Sequence, residues 1–114
     1  MGEDLLLQTR QVGDWTVVDV TGEVDLYTSP RLKDLLTDLA AGGQTRIAVE
    51  FEGVEFMDST GLGVLISGLK RCREGGGNLA LVAPTEPVRK VLSITGLDQV
   101  FSIHGTVSEA TGGS

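Results

Sequence analysis

The run Phe56-Met57-Asp58-Ser59-Thr60-Gly61-Leu62-Gly63 puts a hydroxyl where an apolar, strand-like segment passes into an amphipathic helix. The first turn of a helix carries backbone N–H groups with no intrahelical partner, so a serine there has two possible duties. Ser59 is either an ordinary N-cap or an exposed hydroxyl held out to a partner, a candidate switch. Asp58 stands beside it, and a second acidic loop, Glu23-Val24-Asp25, follows another strand-like segment.

Other chemistries lack their residues. The single histidine, His104, lies far along the chain near the end of a predicted strand. Position 57 is Met57 where a Gly-x-Ser-x-Gly nucleophile elbow requires glycine, so Ser59 has no sign of an activating base and no enzymatic activity is expected. The carboxylates Asp19, Glu23, Asp25, Glu50, Glu52, Glu55 and Asp58 show no metal-ligand spacing. Gly61-Leu62-Gly63 lacks the third glycine of a dinucleotide fingerprint, and no Gly-Lys-Ser or Gly-Lys-Thr is present for a phosphate loop. Cys72 is the only cysteine, so neither an intrachain disulfide nor a thiolate metal site is expected.

A formal charge of −7 argues against nucleic acid and anionic membranes as direct partners. The basic cluster Lys70, Arg71 and Arg73 falls at a predicted helix end, where cations complement the dipole. No apolar run approaches the roughly 20 residues that cross a bilayer. Met1-Gly2-Glu3-Asp4 is acidic and unlike a signal peptide, and Leu6 stands where a myristoylation motif wants Ser or Thr. A cytoplasmic location is expected.

The elements that must position Ser59 follow from periodicity. At 114 residues the chain suits one domain with one core. Leu5 to Arg10 and Trp15 to Thr21 are strand-like around a Gly13-Asp14 turn, which predicts an opening hairpin. Gly22 to Thr28 is expected to be a loop, with Ser29 capping a helix whose first residue is Pro30. Leu32, Leu35, Leu36 and Leu39 mark that helix's inner stripe, and Gly42-Gly43 ends it. Ile47, Val49 and Phe51 alternate around a small Ala48, as in an interior strand from Arg46 to Phe51.

A second helix is expected from Ser59 to Arg73, with Leu62, Leu65, Ile66 and Leu69 buried, followed by a strand from Leu79 to Val82. Thr85 is expected to cap a third helix with Val88, Val91 and Leu92 inside and Gly96 as terminator. Phe101 to His104 suggests a last strand, and Thr106 to Ser114 a frayed tail. The alternation predicts an α/β sandwich on a mixed sheet, with an ordered core from about Leu5 to about His104. If the strands leading to Asp25 and Ser59 run parallel, both loops emerge at one edge of the sheet.

On Gly22-Glu23-Val24-Asp25 with Tyr27-Thr28-Ser29-Pro30-Arg31-Leu32, and above all on Phe56-Met57-Asp58-Ser59-Thr60-Gly61-Leu62-Gly63-Val64-Leu65, the chain resembles the bacterial anti-sigma factor antagonists, members of the STAS domain family. It departs at the end, where the family has a final helix: Val107-Ser108-Glu109-Ala110 can begin one that Thr111-Gly112-Gly113-Ser114 cannot prolong. The resemblance implies a non-enzymatic partner switch in which Ser59 is phosphorylated by an anti-sigma factor that is also a serine kinase. It implies a PP2C-type phosphatase as a second partner, with ATP on the kinase and no cofactor on this chain.

Asp25 and Asp58 then belong to the binding face together with Thr60, which is either a helix-start residue or a second phosphosite. Gly61 and Gly63 cost a helix about 1 kcal/mol each relative to alanine. They permit close approach either of a partner's backbone or of the helix to its own sheet. The alternative implied function is a STAS scaffold or regulatory subunit in a signalling complex or lipid transporter.

Overall fold

A computed structural model describes residues 5–112. The expectations drawn from Met1 to Asp4, and those for Gly113 and Ser114, lie outside that range. The chain forms β1 (Leu5–Val12), β2 (Trp15–Val24), α1 (Ser29–Ala41), β3 (Arg46–Met57), α2 (Ser59–Glu74), β4 (Asn78–Val82), α3 (Glu86–Ile94), a single 3-10 turn (Leu97–Gln99), β5 (Ser102–His104) and α4 (Val107–Ala110). The strands lie in chain order in one sheet. β1 is antiparallel to β2 through the Gly13-Asp14 turn, while β2, β3, β4 and β5 run parallel. This is the mixed α/β sheet with an opening hairpin that the alternation predicts.

The interior strands are buried on both faces, and a strict period of two divides the core. Val18, Val20, Ile47, Val49, Phe51, Leu79 and Leu81 join Leu32 and Leu36 of α1, Leu62, Leu65 and Leu69 of α2, and Val88 and Leu92 of α3. Their neighbours Val17, Ala48, Ala80 and Val82 form a smaller core on the opposite face with Ala110 of α4. Small residues on that side let a four-residue helix cover it.

The structure departs from the sequence expectations at several boundaries. β2 does not stop at Thr21 but continues through Gly22 and Glu23 to Val24, and β3 runs past Phe51 to Met57. The β2–β3 register slips between Asp19 and Thr21 and again between Gly22 and Glu23, with the extra residues on β3. Such bulges twist a strand pair without ending it. Gly53 fits at the first because a Cβ there would lie 2.7 Å from Thr21 Oγ1.

Ser29 is not the cap of α1. Thr28 precedes the helix and Ser29 is its first residue. Ile66 leaves the expected inner stripe and is exposed, its place taken by Gly68 and Cys72. The expected frayed tail is instead α4, whose first turn is held by Thr106 Oγ1 accepting from the Glu109 N–H at 3.1 Å. Ala110 and Thr111 are buried against the sheet.

Candidate functional site

Parallel pairing of β2 with β3 brings the two acidic loops to one edge. Val24 and Met57 are register partners at the last rung, and the Asp58 N–H extends the ladder by donating to the Val24 carbonyl at 3.1 Å. The chain leaves both strands at this rung, into Asp25 on one side and Asp58-Ser59 on the other.

Asp58, not Ser59, is the N-cap of α2. Its backbone is extended, and Oδ1 accepts from the Thr60 N–H at 2.9 Å and the Gly61 N–H at 3.4 Å. The Thr60 hydroxyl donates to the same oxygen. A carboxylate in this position satisfies orphan amides and complements the positive end of the helix. Ser59 is therefore relieved of capping, and it is exposed. Thr60 is half-buried with its hydroxyl turned to Asp58, a helix-start role.

The Asp25 loop is a closed turn. Asp25 Oδ1 accepts from the Tyr27 and Thr28 N–H groups, each at 2.9 Å, and its carbonyl accepts from the Ser29 N–H at 2.8 Å. The buried Thr28 hydroxyl accepts from the Asp25 N–H at 2.9 Å and points to the Glu23 carbonyl at 2.8 Å, with Asp25 Oδ1 at 3.1 Å. The amides of Thr28 and Tyr27 and the Thr28 hydroxyl hold the Asp25 carboxyl below its usual pKa. Thr28 is the site residue whose role the sequence reading missed. Its signal was the Asp-x-x-Thr spacing, which places a hydroxyl back over an Asx turn.

The two glycines part company. Gly61 is buried, and a Cβ there would lie 2.8 Å from both Met57 Cγ and Val24 Cγ1. It lets α2 sit close on its own sheet, so the close approach it permits is internal and not a partner's. Gly63 is exposed, and a Cβ on it would meet nothing within 4 Å. Of the expected face, Asp25 and Asp58 follow the same last rung of β2 and β3, Ser59 is exposed beside them in sequence, Thr60 and Gly63 line one groove, and Gly61 is buried.

The histidine and the cysteine stand apart from the two acidic loops. His104 lies in β5 at the far side of the sheet order. Among the described residues no three of His, Cys, Asp and Glu stand together in a metal-holding group. Cys72 is buried in α2, and burial pushes its thiol up to about 11. No helix of the described residues is long and apolar enough to cross a membrane.

Comparison with known proteins agrees with this architecture. The family model for the STAS domain matches residues 7–110. An anti-sigma-B factor antagonist of Staphylococcus aureus (strain NCTC 8325 / PS 47) is 32% identical over 101 residues, spanning 89% of this chain and 94% of that protein. The crystal structure of an anti-sigma factor antagonist from Mycobacterium paratuberculosis superposes with a TM-score of 0.86 at 26% identity, covering 95% of this chain and 92% of the other. The antagonist SpoIIAA in its unphosphorylated form gives a TM-score of 0.82 at 27% identity over 93% of each chain. With the model matched over most of its length and the mixed sheet in place, the chain belongs to the STAS domain family.

Proposed function

We propose that this protein is an anti-sigma factor antagonist that works as a phosphorylation switch at Ser59. In the unmodified state it binds an anti-sigma factor that doubles as an ATP-dependent serine kinase, and the sigma factor is freed. Phosphorylation of Ser59 ends that binding, and a PP2C-type phosphatase restores it. ATP sits on the kinase, and this chain contributes binding and an acceptor hydroxyl, not catalysis. The observation that carries the reading is the division of labour at α2: Asp58 caps the helix, which leaves the Ser59 hydroxyl exposed and unoccupied by structure.

The switch is electrostatic. A phosphoserine adds about −1.5 to −2 charges. The N-terminus of α2 favours that anion by about 0.3–1 kcal/mol, and Asp58 with Asp25 opposes it by a similar amount after screening. The two effects nearly cancel, so the fold is left almost unchanged. The difference is felt at the interface, where burying a dianion without a matching cation costs several kcal/mol.

The test is to incubate the purified protein with the anti-sigma factor kinases of its own genome and ATP, and to map the product by mass spectrometry. One phosphate on Ser59, lost in Ser59→Ala, is expected. Modification that persists in Ser59→Ala would remove the site.

A further inference from the structure

We infer that Leu26 and Tyr27 are the apolar anchor of the interface, seated in a cation-rimmed apolar socket on the anti-sigma factor; this deepens the function proposed above and rests on it. Leu26 is 62% exposed and Tyr27 is 85% exposed, side by side at the tip of the Asp25 turn. Large apolar residues in such positions are unremarkable singly, but these two differ in how they are held. The Asp25 carboxylate takes the Tyr27 and Thr28 amides, and the buried Thr28 hydroxyl ties the turn to the end of β2. A turn whose backbone is fixed before contact presents both side chains without the cost of ordering the loop on docking, which is the property of an interface anchor.

The surroundings extend the contact to the switch. A groove of about 540 Å³ lies between the N-terminal halves of α1 and α2, walled by Leu26, Pro30 and Lys33 on one side and by Thr60, Gly63 and Val64 on the other. The open space over Gly63 leaves this groove clear. Thr60, the residue after Ser59, lines the groove, so a partner seated on Leu26 lies one residue from the switch.

Charge selects the occupant. Asp25 and Asp58 each turn Oδ1 inward to amides, and no hydrogen bond within the described residues engages the other oxygen. Together with a net charge of −7, this asks for a partner surface with lysine or arginine around its apolar socket. Cations already paired with Asp25 and Asp58 leave a phosphate on Ser59 without one.

The experiment is calorimetric titration of the anti-sigma factor from the same genome into wild-type protein, Tyr27→Ala, Leu26→Ala, Ser59→Glu and Ile94→Ala. Ile94 is 74% exposed at the end of α3 and serves as the control for loss of an exposed apolar residue. The expected result is binding at least about tenfold weaker for Tyr27→Ala and Leu26→Ala, wild-type binding for Ile94→Ala, and unchanged thermal melts for all three. Affinity should also fall as salt rises. Wild-type affinity in both anchor variants, with Ser59→Glu still defective, would overturn the anchor and leave the switch standing. Failure of the wild-type chain to bind any anti-sigma factor of its genome would overturn both.

Discussion

The Asp58 amide donates to the Val24 carbonyl at 3.1 Å, and this one bond joins the loop that carries Asp25 to the helix start that carries Ser59. Each acidic residue follows the last rung of a parallel strand pair, so their spacing is set by the sheet and not by the loops. In the proposed switch a partner meets a preformed face, and a phosphate on Ser59 would alter that face without having to move it.

Capping by Asp58 can be measured directly. Asp58→Ala removes the acceptor for the Thr60 and Gly61 amides and should cost about 1 kcal/mol of stability in urea unfolding. Asp58→Asn keeps an acceptor and should recover most of that loss. Ser59→Ala should leave stability within about 0.5 kcal/mol of wild type, since its hydroxyl does no capping.

Alanine should have opposite effects at the two glycines of the motif. Gly61→Ala drives a methyl group to 2.8 Å from Met57 Cγ and Val24 Cγ1 and should destabilise the protein by about 1–3 kcal/mol. Gly63→Ala meets open space within a helix and should stabilise it by about 0.5–1 kcal/mol. Chemical denaturation of both variants separates the two roles.

The Asp25 turn should be sensitive to acid. Its carboxyl is held below the usual range by the Thr28 and Tyr27 N–H groups, so the folded pKa lies under the unfolded one of about 3.9. A depressed carboxylate pKa contributes stability that is present above the unfolded value and is lost as the pH falls through the folded value. A carboxyl-detected NMR titration should place the Asp25 midpoint below those of exposed aspartates, with the Tyr27 and Thr28 amide shifts following it.

Cys72 should report on opening of the fold. It is fully buried and its thiol is raised to about 11, so the thiolate fraction near neutral pH is small. Modification by a thiol-specific reagent should be slow in the native protein and fast in urea. Rapid reaction without denaturant would show that α2 lifts from the sheet.

Much of this arrangement was legible in the residues because burial on both faces leaves a strong pattern. Ile47, Val49 and Phe51 went to one core, and Ala48 between them to the other. The shared edge followed from the same pattern, since strands separated by helices had to run parallel. What escaped was governed by contacts distant in sequence. Gly22 reads as a loop residue until bulges on β3 give it a place in β2. Val107-Ser108-Glu109-Ala110 is too short a helix to stand alone, and it is held by the Thr106 cap and by packing of Ala110 with Ala48, Ala80 and their neighbours on the sheet. Ser29 looks like a cap because it precedes Pro30, yet the hydroxyl of Thr28 is committed to the Asp25 turn one residue earlier. Gly61 and Gly63 share a motif, and only the packing of α2 on Met57 and Val24 tells them apart.

The central claim is that charge at Ser59 controls partner affinity while the fold stays constant. Its most direct test is the dissociation constant of the anti-sigma factor for unmodified protein, Ser59→Ala, Ser59→Glu and the enzymatically phosphorylated chain, measured by titration calorimetry. Ser59→Ala should bind as tightly as the unmodified protein. A penalty of several kcal/mol at about 1.4 kcal/mol per tenfold makes the phosphorylated chain about a thousandfold weaker, with Ser59→Glu weakened in the same direction. Equal affinity for the unmodified and phosphorylated chains would contradict the account.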